Sequence, residues 1–284
     1  MKLSLGFSPC PNDTFIFDAL IHKKIDTEGI DFDVFFDDVE TLNKKVFKNE
    51  PDISKLSFHA FAYAINNYAL LDAGSALGHG VGPLLISKNN ELTDREYIRQ
   101  HYNLKVGIPG EFTTANFLLG LAFPELKNKK ILVFSEIEQA LLDNTIDLGL
   151  IIHENRFTYQ DKGLHKIIDL GDYWEKETGL PIPLGGIVIN RRIDPKIQST
   201  VDRLIRKSIE YAFENPKSAL DFIKSHAQEM DEKVMYKHID LYVNNYSVSL
   251  GAKGREAVNL LFKKASELEL IPSINQPLFV ERVS

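Results

Sequence analysis

Leu3-Ser4-Leu5-Gly6-Phe7-Ser8-Pro9-Cys10-Pro11-Asn12-Asp13-Thr14 sets the architecture, joining a short apolar strand to a helix through an unusually stiff and polar loop. Pro9 and Pro11 fix two backbone φ angles and remove two N–H donors. Asn12, Asp13 and Thr14 then bring side-chain oxygens to a helix start, where backbone N–H groups have no intrahelical acceptor. A βα connection needs only a few residues and any good cap. A proline-stiffened cap is the plain reading of this loop. The functional reading is a ligand loop at the carboxyl end of the first strand.

The alternation continues outward. Strands are expected at Leu3–Phe7, Ile30–Phe36, Asp52–Leu56, Tyr68–Ala73 and Pro83–Ser87. Helices are expected at Asp13–His22, Val39–Phe47 (capped by Asp37 or Asp38) and Ser57–Asn66. Such alternation predicts an α/β protein with a largely parallel sheet and helices on its faces. The polar stretch from Lys88 to Glu96 is turn-like and starts a second block. There, strands are expected at Lys105–Ile108, Lys130–Phe134 and Asp147–Ile152, and helices at Thr113–Ala122 and Ile137–Asp143. Gly185 to Asn190 reads as one more strand. Past Pro195, Ile197, Val201, Leu204, Ile205, Ile209 and Phe213 keep the spacing of one buried helix face. Asn215-Pro216 reads as a cap followed by proline at the first helical position, with further helices near Asp231–Tyr242 and Gly254–Leu268. This order predicts two lobes, a larger one from 1–88 and 187–284 and a smaller one from 89–186. Ligands in such folds sit at strand carboxyl ends, in the cleft between the lobes.

Composition narrows the function. Of 284 residues, 44% are hydrophobic and 26% charged, which suits a soluble protein with a substantial core. A net charge of −7 without long basic runs argues against a nucleic-acid surface. The apolar run near Leu118–Phe123 is far too short to span a membrane. The chain enters a strand directly after Met1-Lys2 and carries one cysteine, so a cytoplasmic location is expected. Nothing in the sequence speaks to oligomeric state.

Four loops fall at expected strand ends. Gly110-Glu111-Phe112-Thr113-Thr114-Ala115 opens a helix whose N–H groups and dipole suit an anion, or Thr113 simply caps it. Ser54-Lys55-Leu56-Ser57 offers Ser57 as a cap and places Lys55 at a core strand end, where its ammonium must meet water, a carboxylate or a bound anion. Leu148-Gly149-Leu150-Ile151-Ile152-His153-Glu154 ends an apolar strand on a histidine, the side chain best suited to proton transfer near neutrality. A structural histidine is the plain alternative. No second histidine follows at zinc-motif spacing, and the other seven are scattered, so no metal is expected. Gly78-His79-Gly80-Val81-Gly82 lies between strands and so is not a dinucleotide loop.

Together these motifs resemble the 1,4-dihydroxy-6-naphthoate synthase family of the futalosine route to menaquinone. The resemblance is carried by Ser8 to Phe15, Lys55-Leu56-Ser57, Leu77 to Pro83, Thr113-Thr114-Ala115 and Ile152-His153-Glu154, in order over nearly the whole chain. It implies a fold similar to type 2 periplasmic binding proteins, with two lobes and C-terminal helices. It also implies cleavage of cyclic dehypoxanthinyl futalosine to the naphthoate and dihydroxyacetone, with no cofactor or metal. By matching position, His153 is the expected proton acceptor. Lys55, Leu56, Ser57, Thr114 and Ala115 are the expected substrate contacts, with Thr113, Asn43, Asn12 and Asp13 beside them. The expected partner is a small molecule bearing an aromatic carboxylate, held by Lys55 or by the helix start at Thr113–Ala115. The rival readings are a chorismate dehydratase of the same pathway and a non-catalytic binder of small anions.

Overall fold

The computed structural model describes residues 1–93, 95–101, 103–153, 155–227 and 231–281. Its strands, in chain order, are Lys2–Phe7 (β1), Asp31–Phe36 (β2), Ile53–Ser57 (β3), Tyr68–Leu70 (β4), Ala76–Gly78 (β5), Leu84–Ser87 (β6), Val106–Ile108 (β7), Lys129–Ile131 (β8), Leu148–Ile151 (β9), His165–Asp169 (β10) and Ile182–Asn190 (β11). They form two sheets, in two units: Met1–Gly78 with the chain from Pro183 onward, and His79–Ile182.

In the first unit the strand order is β2-β1-β3-β11-β4, with β5 beside β11. β1 runs parallel to β2 and β3, so the three following loops leave from the same edge. β11 returns antiparallel to both β3 and β4. The helix Pro11–Ile21 buries almost all of its residues. Its Leu20 N–H donates to Ser208 Oγ at 3.1 Å, and Ser208 Oγ donates to the Ile16 carbonyl at 2.6 Å. Ser208 lies on the helix Pro195–Glu214, whose Val201, Leu204, Ile205 and Ile209 are buried at the spacing the sequence shows. Each such side chain contributes roughly 1.5–3 kcal/mol on leaving water.

The second unit has the order β10-β6-β9-β7-β8. β7 is parallel to β8 and β9, while β6 is antiparallel to β9 and β10. Leu84, Ile86, Ile137, Leu141, Ile146 and Ile151 form its core.

Each sheet is therefore mixed, a parallel trio extended by antiparallel return strands, where the alternation predicts a largely parallel one. Leu84–Ser87, read with the first block, pairs in the second sheet, and the chain changes unit at 78/79 and 182/183 instead of 88/89 and 186/187. A four-residue apolar strand carries no local signal for which sheet it joins. Pro216 lies in a turn, and the next helix is Leu220–His226, so the Asn215-Pro216 cap does not form. The expected strand to Phe134 stops at Ile131, and Phe134 begins a short 3-10 turn. β10 and the helix Leu170–Thr178 were not expected from the pattern, although Asp169 as cap and Gly179 in the left-handed region mark that helix's ends. Among the described residues no helix is long and apolar enough to cross a membrane.

Candidate active site

The proline-rich loop turns its polar side chains inward. Cys10 is the cap residue of Pro11–Ile21, and its carbonyl accepts the Asp13 and Thr14 N–H groups at 3.1 and 3.0 Å. Asn12, Asp13 and Thr14 are buried, so none simply faces water at the helix start. Asp13 Oδ2 accepts the Ser8 hydroxyl at 2.7 Å and the Ser8 N–H at 3.2 Å. Asp13 Oδ1 accepts Asn12 Nδ2 at 2.8 Å and lies 3.1 Å from Lys55 Nζ. Lys55, for which the sequence leaves water, a carboxylate or a bound anion open, meets the Asp13 carboxylate.

β3 positions the second group. Lys55 Nζ also donates to the Gly74 carbonyl at 2.9 Å. Leu56 is buried opposite Gly186, and a Cβ at Gly185 would lie 2.7 Å from the Leu56 carbonyl oxygen, so this strand pair needs its glycine. Ser57 precedes the helix Phe58–Ala64 without making a side-chain cap. Its N–H instead donates to Asn43 Oδ1 at 3.1 Å. Asn43 is completely buried on the helix Val39–Phe47, so it orients Ser57 from behind.

In the second unit, β7 and β9 are parallel neighbours, and their carboxyl ends carry the other two loops. Thr113 caps the helix Thr114–Ala122: its Oγ1 accepts the Asn116 N–H at 3.2 Å and donates to the Gly110 carbonyl at 2.9 Å. The cap thus fixes the start of this helix at Thr113–Ala115. Lys129 Nζ donates to Asn116 Oδ1 at 2.7 Å, and Asn116 Nδ2 to the Glu111 carbonyl at 2.7 Å. Burial, reinforced by the Lys127 charge, holds the Lys129 ammonium below its usual range.

His153 follows β9 with φ +57, the left-handed region that side chains with a Cβ rarely occupy. It is partly exposed, and its ring centroid lies 5.0 Å from that of Phe134. Such strain persists where surrounding structure imposes it and clusters at functional sites. Glu154 lies outside the described residues.

Asn12, Asp13 and Lys55 thus form one connected group in the first unit, Asn43 and Ser57 a second beside it, and Thr113–Ala115 with His153 share one sheet edge in the other unit. Sequence reasoning missed His238, whose Nε2 lies 2.8 Å from Asn12 Oδ1, and Gly74, which anchors Lys55. Neither stands in a motif. Gly74 alone carries a local clue, as a glycine in the turn-like run Asp72-Ala73-Gly74-Ser75.

Two parallel-edged sheets with return strands are also the architecture of the periplasmic aliphatic sulphonate binding protein of Escherichia coli. That chain matches with a TM-score of 0.66 over 100% of this chain and 94% of its own, at 11% identity, a likeness of fold alone. The class is that of periplasmic-binding-protein-like α/β proteins. A crystallised protein of Archaeoglobus fulgidus matches more strongly, with a TM-score of 0.88, 33% identity, and 95% and 98% of the two chains covered. The sequence model of the family described as menaquinone biosynthesis matches residues 3–267. Proteins named 1,4-dihydroxy-6-naphtoate synthase from Thermus thermophilus and Streptomyces coelicolor are 39% and 37% identical, covering 98% and 96% of this chain and 99% and 95% of their own. The chain belongs to the menaquinone biosynthesis family.

Proposed function

We propose that this protein is a 1,4-dihydroxy-6-naphthoate synthase, a carbon–carbon lyase that converts cyclic dehypoxanthinyl futalosine to the naphthoate and dihydroxyacetone with His153 as general base. The observation that carries the reading is the placement of His153: a partly exposed imidazole at the carboxyl end of β9, on backbone held at φ +57. The relatives at 39% and 37% identity bear the synthase name over nearly their full length. A cleavage that ends in aromatisation requires removal of a proton, and a positioned general base supplies on the order of 10²–10⁴ in rate.

The substrate's aromatic carboxylate goes to the helix start at Thr113–Ala115. Lys55 already has the Asp13 carboxylate at 3.1 Å, whereas the first turn of Thr114–Ala122 contains no acidic residue to oppose an anion. Lys55 and Ser57, with the backbone of Leu56 between them, hold the polar remainder of the molecule. A cytoplasmic location fits a chain with one cysteine, itself buried.

Purified protein incubated with cyclic dehypoxanthinyl futalosine is expected to release the naphthoate chromophore and dihydroxyacetone, and to leave chorismate unchanged. Dehydration of chorismate would reassign it to that step of the same pathway. Tight binding of either compound without turnover would make it a binding protein.

A further inference from the structure

We propose that His238 is a positioning residue for the substrate-holding end of β3, acting through Asn12 and Asp13 on Lys55. The proposal rests on the reading of Lys55-Leu56-Ser57 as a substrate contact.

Three links connect the helix Glu232–Tyr242 to β3, and a fourth runs on from β3 to Gly74. His238 Nε2 is 2.8 Å from Asn12 Oδ1, Asn12 Nδ2 is 2.8 Å from Asp13 Oδ1, Asp13 Oδ1 is 3.1 Å from Lys55 Nζ, and Lys55 Nζ is 2.9 Å from the Gly74 carbonyl. The direction of each bond follows from chemistry. An ionised carboxylate only accepts, so the Asn12 amide must present its NH₂ to Asp13 and its oxygen to His238. An amide oxygen only accepts as well, so His238 must carry a proton on Nε2. The relay therefore specifies one imidazole tautomer and one amide orientation.

His238 is completely inaccessible and packs against Tyr242, with ring centroids 4.7 Å apart. An apolar ring would fill that space without desolvating a polar group. The polar chain reaches β3 at Lys55, whose side chain keeps 10% of its exposure. Because Asp13 Oδ1 receives both Asn12 and Lys55, rotation of Asn12 alters the partner that fixes the ammonium.

The test compares His238→Phe, which keeps a ring and loses the donor, with His238→Gln, which restores an amide donor. With cyclic dehypoxanthinyl futalosine as substrate, His238→Phe is expected to raise KM about tenfold with kcat within about twofold, and His238→Gln to recover most of that KM. Should His238→Phe not fold, Asn12→Ala takes its place in the same assay. An unchanged KM in a folded variant, or a loss confined to kcat, overturns the proposal. A second readout does not depend on turnover: ¹⁵N NMR of histidine-labelled protein is expected to show His238 as the Nε2–H tautomer, with resonances that shift in Asn12→Ala. The opposite tautomer, or unmoved resonances, overturns the relay while the lyase reading stands. An intact relay in a wild-type protein that turns over nothing removes the lyase reading and, with it, the positioning role.

Discussion

The ammonium of Lys55 is held 2.9 Å from the carbonyl oxygen of Gly74, and Gly74 sits at φ +84 with its own N–H donating to the Ser247 carbonyl at 2.7 Å. Just before it, the N–H groups of Asp72 and Ala73 donate to Asp202 Oδ1 at 2.8 and 2.9 Å. The turn that anchors Lys55 is thus itself fixed from the helices around it.

Gly74→Ala combines two costs. The left-handed backbone strains any residue with a Cβ by about 1–3 kcal/mol. The new Cβ would also lie 2.0 Å from Ile187 Cδ1, an overpacking of about 1–3 kcal/mol. Gly29→Ala, at φ +78 with open space around it, carries the backbone cost alone. Urea denaturation is expected to place Gly74→Ala at least about 1 kcal/mol below Gly29→Ala; equal losses would remove the crowding argument.

His153 gives opposite effects on stability and activity. His153→Gly relieves the φ +57 backbone and is expected to leave the protein as stable or up to about 1 kcal/mol more stable, while turnover falls by about 10²–10⁴. Asn tolerates the same conformation, so His153→Asn serves as a folded control with the same loss. Normal turnover in either variant would remove His153 from its role as base.

Two neighbouring aspartates respond to pH with opposite sign. Burial pushes the Asp72 carboxyl up, but the Ser249 hydroxyl at 2.5 Å and the Arg255 guanidinium at 2.7 Å outweigh it and hold it below the usual carboxylate range. A depressed carboxyl contributes stability that is present above the unfolded value, near 4, and is lost as pH falls through the folded one. Burial dominates at Asp202 and raises it, despite the Ala73 N–H. Its ionisation therefore costs stability above the raised value, and the cost disappears as pH falls through it. Asp72→Asn is expected to lose about 3 kcal/mol at pH 7, with the deficit shrinking below about pH 4. Asp202→Asn keeps an acceptor for both N–H groups and is expected to equal or exceed the wild type at pH 7, with the gain fading toward acid. Urea midpoints at pH 7, 5 and 3.5 measure both; matching pH trends would contradict the assignment.

Thr113→Ala removes the cap on Asn116 N–H and is expected to cost about 1 kcal/mol, while Thr113→Ser retains most of it. If the helix start at Thr113–Ala115 holds the substrate carboxylate, Thr113→Ala also raises KM. Thermal melts and steady-state kinetics on the pair separate the two effects, and an unchanged KM in Thr113→Ala would move the carboxylate elsewhere.

Much of the candidate site could be read directly because its signals are short-range. The loop after β1, the strand end at Lys55-Leu56-Ser57 and the apolar run into His153 each show within a few residues. What those residues do was less legible. Thr113 reads as either cap or ligand contact, and its hydroxyl is taken by Asn116 and Gly110. Asn43 reads as facing the substrate, and its side-chain oxygen accepts the Ser57 N–H from full burial. Asp13 reads as a helix-start group offered to a ligand and instead partners Lys55. A side chain's type names its chemistry, but its partner depends on what the fold brings alongside.

The amino-acid order by itself determined most of the helices and strands, the cap at Thr113 and the buried face of Pro195–Glu214. These rest on contacts three or four residues apart, which composition and spacing record directly. Tertiary structure alone decided that β6 joins the second sheet, that β11 returns antiparallel to β3, that Lys55 meets Asp13, and that His238 reaches Asn12 across 226 residues. Strand pairing and buried polar contacts between distant segments form only when the whole apolar core closes around them, and no local pattern encodes which distant group will be there.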